Sequence, residues 1–364
     1  MLAVSALGAT SAARADVFNL GPGLTSLSFV TVGDPGNAPD ANGLGSVGYV
    51  YQMGTYDITA AQYCQMLNAV AATDQYGLYN LNMSPGSGFA TCGIIRSGIP
   101  GSYSYSVVSV DANFPVNEVS WGDAARFCNW LANGQPATGV ENATTTETGS
   151  YALNGALTDQ QLAAVTRSPT AVYVIPNENE WYKAAYYKGG STSAGYWLFP
   201  TQNNTPPSNA LLATGTNNAN FLDPLLGLTD PVNGLTPVGT FADSPGPYGT
   251  FDMGGDVSQL TENIIDGEHR DWGGSFAAPY TSLESNSFVA GPPSGYQGVL
   301  GFRIADVPEP SSLALLGAGS LVLLRRGRRS LGIPGNTGNT PGIPGNTRNT
   351  GIPGTVTHFI ALNS

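Results

Sequence analysis

Glycine and proline interrupt this chain so often that no regular element can run far. Its 364 residues include 48 Gly and 26 Pro, and each one favours a turn or ends a helix or strand. Yet 41% of the residues are apolar and a tenth are aromatic, enough to bury a sizeable core and to argue against general disorder. The two facts together predict a loop-rich α+β fold of short elements. Helices are expected where a cap precedes an apolar stripe. Thr59 is the natural N-cap for a stripe of Tyr63, Met66, Leu67 and Val70. Ser120, with Asp123 three residues on, opens a second stripe of Ala124, Phe127, Cys128 and Leu131. A third helix is predicted from Pro176 to Tyr187, with Glu178 and Glu180 at its start and Lys188-Gly189-Gly190 at its finish. Strand character is read from Phe18 to Val32, from Val47 to Met53 and from Tyr103 to Val108.

The formal net charge of −12 conceals an asymmetry, because Arg325, Arg326, Arg328 and Arg329 crowd one short window. Between Asp16 and Asp306 there are 24 acidic and seven basic residues, a net charge of −17. Nucleic acid is therefore not an expected partner, since phosphate binding needs the opposite field. The two histidines, His269 and His358, are too few for an HExxH zinc site or a histidine-rich iron centre. GxSxG and GxxxxGK[ST] are absent as well.

Both ends carry export signals. Residues 1–15 are small and apolar and close on Ala13-Arg14-Ala15, which predicts a signal peptide, truncated at its start, and a mature protein beginning at Asp16. Val307-Pro308-Glu309-Pro310 is followed by an apolar stretch at 311–324 and then by the arginine cluster. That order of parts resembles the PEP-CTERM sorting signal. The resemblance implies transient membrane anchorage through 311–324, recognition by an exosortase-type enzyme, and delivery to the cell envelope or extracellular matrix. The predicted organisation is thus a signal peptide at 1–15, a body at 16–306 and a sorting segment at 307–329. Residues 330–364, with GIPGNT at Gly332 and Gly342 and GIPGT at Gly351, form a tail expected to be disordered.

Three cysteines, Cys64, Cys92 and Cys128, allow one disulfide in an exported protein, and Cys64 with Cys92 is preferred because the intervening loop is short. Cys64 and Cys128 also suit a role as buried, inert thiols in apolar helical patterns. His269, among the charges of Asp266 to Asp271, reads as a solvated loop residue ahead of an acid–base catalyst. The aromatic group from Tyr182 to Phe199 suits a core better than a sugar platform.

A series of phrases then adds a family. Tyr49 to Tyr63 (YVYQMGTYDITAAQY), Pro115 to Ala124 (PVNEVSWGDA), Ile175 to Trp181 (IPNENEW), Tyr248 to Val257 (YGTFDMGGDV), Trp272 to Phe276 (WGGSF) and Gly301-Phe302-Arg303 occur in one order. The series resembles the formylglycine-generating enzyme, or sulfatase-modifying factor, family, and the resemblance implies its C-type-lectin-like α+β fold. Active members oxidise a substrate cysteine with copper held by two cysteines. The family pattern places those cysteines at Ala278 and Leu283, so copper is not expected here. The resemblance also implies calcium held by Asn220, Phe221, Asp230 and Val232, through hard oxygen donors. A second calcium position falls on Asp256 and Gln259, weakened because Gln259 replaces a glutamate, with Glu262 as a possible substitute ligand. The reading that follows is an exported, calcium-stabilised, non-catalytic module that binds an extracellular polysaccharide or an envelope protein. The alternatives are a diverged formylglycine-generating-type oxidoreductase acting on exported proteins, and an acidic structural matrix protein.

Overall fold

The computed structural model describes residues 16–17, 26–212 and 214–308. The predicted signal peptide, the apolar stretch at 311–324 and the tail after it lie outside the described residues. The body opens with short strands β1 (Asp16–Val17) and β2 (Ser26–Leu27), then β3 (Phe29–Val32) and β4 (Tyr51–Gly54). Helix α1 (Ala60–Val70) follows, capped by Thr59 and Gln62 in a reciprocal capping box. A hairpin of β5 (Ile94–Ser97) and β6 (Ser104–Val107) packs near it, and Asn68 on α1 bonds the Tyr105 backbone in both directions.

Helix α2 (Trp121–Ala132) has the predicted Ser120–Asp123 box and is buried along nearly its whole length, so it acts as the central pillar of the core. Helix α3 (Asp159–Ala163), not anticipated from sequence, carries the same box at Thr158 and Gln161. After β7 (Tyr173–Val174), α4 (Glu178–Tyr186) starts on Asn177 and Glu180, and its acidic first turn and Lys183 in the last turn complement the helix dipole. The hairpin of β8 (Leu222–Asp223) and β9 (Gly227–Leu228) projects from a long loop.

Strands β10 (Ser258–Ile265) and β11 (Glu268–Trp272) turn on Asp266 and Gly267, both at positive φ, as a tight two-residue hairpin requires. With β12 (Phe288–Gly291) and β13 (Leu300–Gly301) they form a sheet of order β12-β11-β10-β13, in which only β13 runs parallel to its neighbour. The second sheet, β3-β4-β14-β7, takes β14 (Ala305–Asp306) between β4 and β7. The end of the body is therefore woven into its beginning: Ala305 faces Met53 on one side and Val174 on the other. Val307, the first residue of the sorting segment, is buried, and its N–H donates to the Val172 carbonyl beside this sheet.

All three cysteines are free thiols inside the main core, and the preferred Cys64–Cys92 disulfide does not form. Loop length measures only the entropy of closure; packing decides where the sulfurs point. Cys64 sits on α1 against Asn68, whereas Cys92 is held by Asn117, which accepts from its N–H and ties Ala90 to Gly298. Burial pushes the Cys64 thiol up to about 11 and the Cys92 thiol to about 12, so both are inert thiols at neutral pH.

Candidate functional site

Strand β11 ends at Trp272, and the next two residues, Gly273 and Gly274, both have positive φ. A Cβ on Gly273 would lie 2.5 Å from the Met253 carbonyl oxygen, so glycine is what lets the chain double back here. The segment then reaches Ala278, whose N–H donates to the Ser275 carbonyl and whose own carbonyl accepts from Leu222. One 3-10 turn later, Leu283 is fully buried in a small apolar cluster with Phe199, Ala219 and Phe221. The two positions that the family pattern assigns to copper thiolates thus carry a methyl and an isobutyl group. Cys64, Cys92 and Cys128 lie in the separate main core cluster.

The loop before β10 gathers oxygen-bearing side chains. Asn220 is 1% exposed, and its amide N–H₂ donates to Gly234 O at 2.8 Å and to Asp256 Oδ1 at 3.0 Å. Its Oδ1 is buried and has no hydrogen-bond partner. Gly255 permits the approach, since a Cβ there would stand 2.2 Å from the Asn220 carbonyl oxygen. The Phe221 carbonyl accepts from Thr229 Oγ1 at 3.2 Å. Asp230 takes N–H donors from Val232 and Asn233 on Oδ1, and its backbone carbonyl accepts from Gly234. Val232 is exposed. Asn233 Nδ2 also donates to Asp230 Oδ2, so of these groups the Asn220 amide oxygen is the one left bare; oxygen donors of these kinds are the chemistry a hard cation takes.

Asp256 belongs with Asn220, not with Gln259. Its carboxylate accepts from the Thr236 N–H and hydroxyl as well as from Asn220, and burial, aided by the nearby Asp252, holds its pKa well above the ordinary carboxylate range. Gln259 enters a different network. Its Oε1 accepts from Trp181 Nε1 at 2.7 Å and Arg303 Nε at 2.6 Å, and its Nε2 donates to the Asp252 carbonyl. A guanidinium already bonded to that oxygen opposes a cation there, so the pair Asp256 and Gln259 does not fit a calcium ion. Glu262 does not substitute, because it pairs with Arg167 at 2.6 Å and accepts from Tyr151.

Arg303 is the hub of that second network. It is fully buried and also donates to Gly54 O, Phe251 O and Asp57 Oδ1 at 2.8, 2.8 and 3.2 Å. Burial pushes the Asp57 carboxyl up to about 8, against the lowering influence of Arg303. Asp57 is the lone acid of the first ordered phrase and Arg303 the lone arginine of the last, the one signal in the sequence for their pairing.

His269 corrects another expectation. It faces inward from β11, 2% exposed, with Nε2 3.7 Å from Asp271 Oδ1. Burial pulls its pKa down to about 4, so the ring is neutral at physiological pH and fills space in the sheet. Of the aromatic group on and after α4, Tyr182, Tyr186, Tyr187 and Phe199 are fully buried in the core, whereas Tyr196 and Trp197 are half-buried.

Residues 306–329 match the PEP-CTERM protein-sorting motif, which implies recognition by an exosortase and export with envelope-directed processing. No curated protein matches the chain. Among solved structures, the chain is similar to CarF at 20% identity over 78% of this chain and 98% of that one, with a TM-score of 0.47. It is also similar to PvdO from Pseudomonas aeruginosa, at 17% identity over 82% and 100% with a TM-score of 0.45. Treponema denticola variable protein 1 matches at 16% identity over 79% and 98%, with a TM-score of 0.44. Residues 46–307, well over half of the chain and the span that holds the ordered phrases and the loops just described, match the sulfatase-modifying factor enzyme 1-like domain, and the chain therefore belongs to that family and has its loop-rich α+β fold.

Proposed function

We propose that this protein is an exported, non-catalytic binding module of the sulfatase-modifying factor family, held at the cell surface or in the matrix and engaging an extracellular polysaccharide or an envelope protein. The observation that carries the reading is the pair Ala278 and Leu283. Soft thiolate ligands select Cu(I), and neither a methyl group nor a leucine side chain coordinates a metal. The buried thiols of the core, with pKa values raised by desolvation, are poor replacements. A calcium ion bound by Asn220, Phe221, Asp230 and Val232, with Asp256 beside Asn220, would order a loop that has little regular structure of its own. The ion's contribution there is charge neutralisation and loop order.

The test has two arms. A peptide containing Cys-x-Pro-x-Arg, incubated with the protein, copper and oxygen, is expected to keep its mass; thiol-dependent conversion would overturn the non-catalytic reading. Host extracellular polysaccharide and envelope proteins, presented to the immobilised protein, are expected to be retained. Failure of both to bind would remove the reading's content.

A further inference from the structure

The two family matches overlap: the match to the body runs to residue 307, and the match to the sorting motif begins at 306. Part of the sorting signal is therefore part of the fold. Asp306 pairs with Gln52 and Tyr173 in the second sheet, Val307 is buried with its N–H on the Val172 carbonyl, and Pro308 is half-buried. A chain advances at most about 3.6 Å per residue, which keeps Glu309 and Pro310 within about 7 Å and about 11 Å of Val307. That reach is about the width of one helix with its side chains. An enzyme that grips Pro308-Glu309-Pro310 on the folded protein therefore meets the rim of the body.

The rim is concave at this point. A pocket of ≈ 260 Å³ has Tyr49, Pro169, Ala171, Val307 and Pro308 as its apolar walls. Its polar groups are already engaged. The Tyr49 hydroxyl donates to Glu180, the Arg167 guanidinium is shared among Glu180, Glu262 and the Ile175 carbonyl, and the Ser168 hydroxyl bonds Thr170. What is left to offer is apolar surface, which suits an apolar side chain and disfavours an ion.

We propose that the exosortase reads the sorting motif together with this rim, seating an apolar side chain of its own in the pocket while it holds Pro308-Glu309-Pro310. The occupant follows from continuity, since Pro308 belongs both to the motif and to the pocket wall. The folded body is thus part of the recognition element, and a misfolded body presents an incomplete one. The inference is independent of what the body binds.

Processing of the full chain in cells that hold the exosortase, followed by pulse-chase as loss of the sorting segment, tests the assignment. Two variants leave the motif intact. Pro169→Asp puts a charge on an exposed wall of the pocket, and a Gly/Ser linker of about eight residues between Val307 and Pro308 parts the motif from the rim. Each is expected to slow processing about tenfold or more, the factor that burial of one apolar side chain corresponds to, with the unfolding temperature of the body nearly unchanged. A photo-crosslinking residue at Ser168 is expected to capture the tagged exosortase, and one at Leu225, exposed on the β8–β9 hairpin, is not. An unprocessed wild type, an unchanged rate in Pro169→Asp, an equal or faster rate with the linker, or equal capture at the two positions would overturn the proposal; a faster rate would show the body to be an obstacle to the enzyme. If Pro169→Asp fails to fold, the linker variant and the crosslinks decide.

Discussion

Replacing Arg303 by Met tests the claim that one buried network ties the first and last motifs of the body together. The arginine is inaccessible to solvent, and its side chain bonds Gly54 O, Asp57 Oδ1, Phe251 O and Gln259 Oε1. Methionine fills much of the same volume, so the loss is mainly of hydrogen bonds and charge. Removing one partner of a buried ion pair costs about 3–5 kcal/mol, and each stranded carbonyl adds about 1–3 kcal/mol. Partial relaxation overlaps these terms, so about 4–6 kcal/mol is expected in all. Since natural domains have only about 5–15 kcal/mol of stability, the variant should be close to unfolding. At roughly 2–4 °C per kcal/mol for a body of this size, the midpoint should fall by on the order of 10–20 °C. The pH dependence adds a signature. Asp57 has its folded pKa raised to about 8, so it favours the folded state below the usual carboxylate value and that contribution is lost as pH rises through 8. Without Arg303 the carboxyl is pushed higher still, so the deficit of the variant should widen above pH 8. Guanidinium unfolding followed by tryptophan fluorescence at pH 6 and pH 9 measures both effects. A deficit under about 1 kcal/mol, far below the value for a buried pair, or one identical at the two pH values, would refute the reasoning.

Other expectations follow from the same structure. Calcium should raise the unfolding temperature of the wild type and not that of Asn220→Ala; saturation at a hundredfold excess over Kd corresponds to about 2.7 kcal/mol, and an unchanged shift in the variant would remove Asn220 from the site. Leu283→Ala should cost about 2–5 kcal/mol through the cavity it leaves among Phe199, Ala219 and Phe221, and a loss below 1 kcal/mol in denaturant titration would show that the segment is not packed as described. His269, its pKa pulled down to about 4 by burial, contributes stability that is present above the unfolded value and is lost as pH falls towards 4. His269→Phe should therefore flatten the stability profile between about pH 6.5 and pH 4, whereas an unaltered acid limb would mean that the ring protonates freely in the folded state.

What could be read in the sequence was local or carried by ordered phrases. Thr59 with Gln62, Ser120 with Asp123 and Asn177 with Glu180 all stand within four residues of each other, and each helix begins where its cap stands. The same signal at Thr158 and Gln161 went unread because α3 offers only one buried residue, Leu162, to mark an apolar face. Asp266-Gly267 is a strong hairpin signal, obscured by the charged residues around it. Those charges alternate: in β11, Glu268 points out while His269 points in, so a strand reads as a solvated loop when only composition is weighed. The separation of Asp256 from Gln259 was not legible either. Asp256 sits at positive φ two residues before β10, with its carboxylate on Thr236 and Asn220, whereas Gln259 lies within the strand and meets Trp181 and Arg303. Contacts that join residues dozens to hundreds of positions apart, such as Asp57 to Arg303, depend on the sheet order and have no local mark.

The central proposal is a family scaffold with an oxygen-ligand cation site and without the thiolates of an oxidase. Its most direct test is elemental analysis of the full chain, purified without chelator and dialysed against trace calcium and copper. The account expects one calcium ion per chain, lost in Asn220→Ala, and no copper. Stoichiometric copper would contradict it, because Cys64, Cys92 or Cys128 would then have to leave the core and serve as ligands.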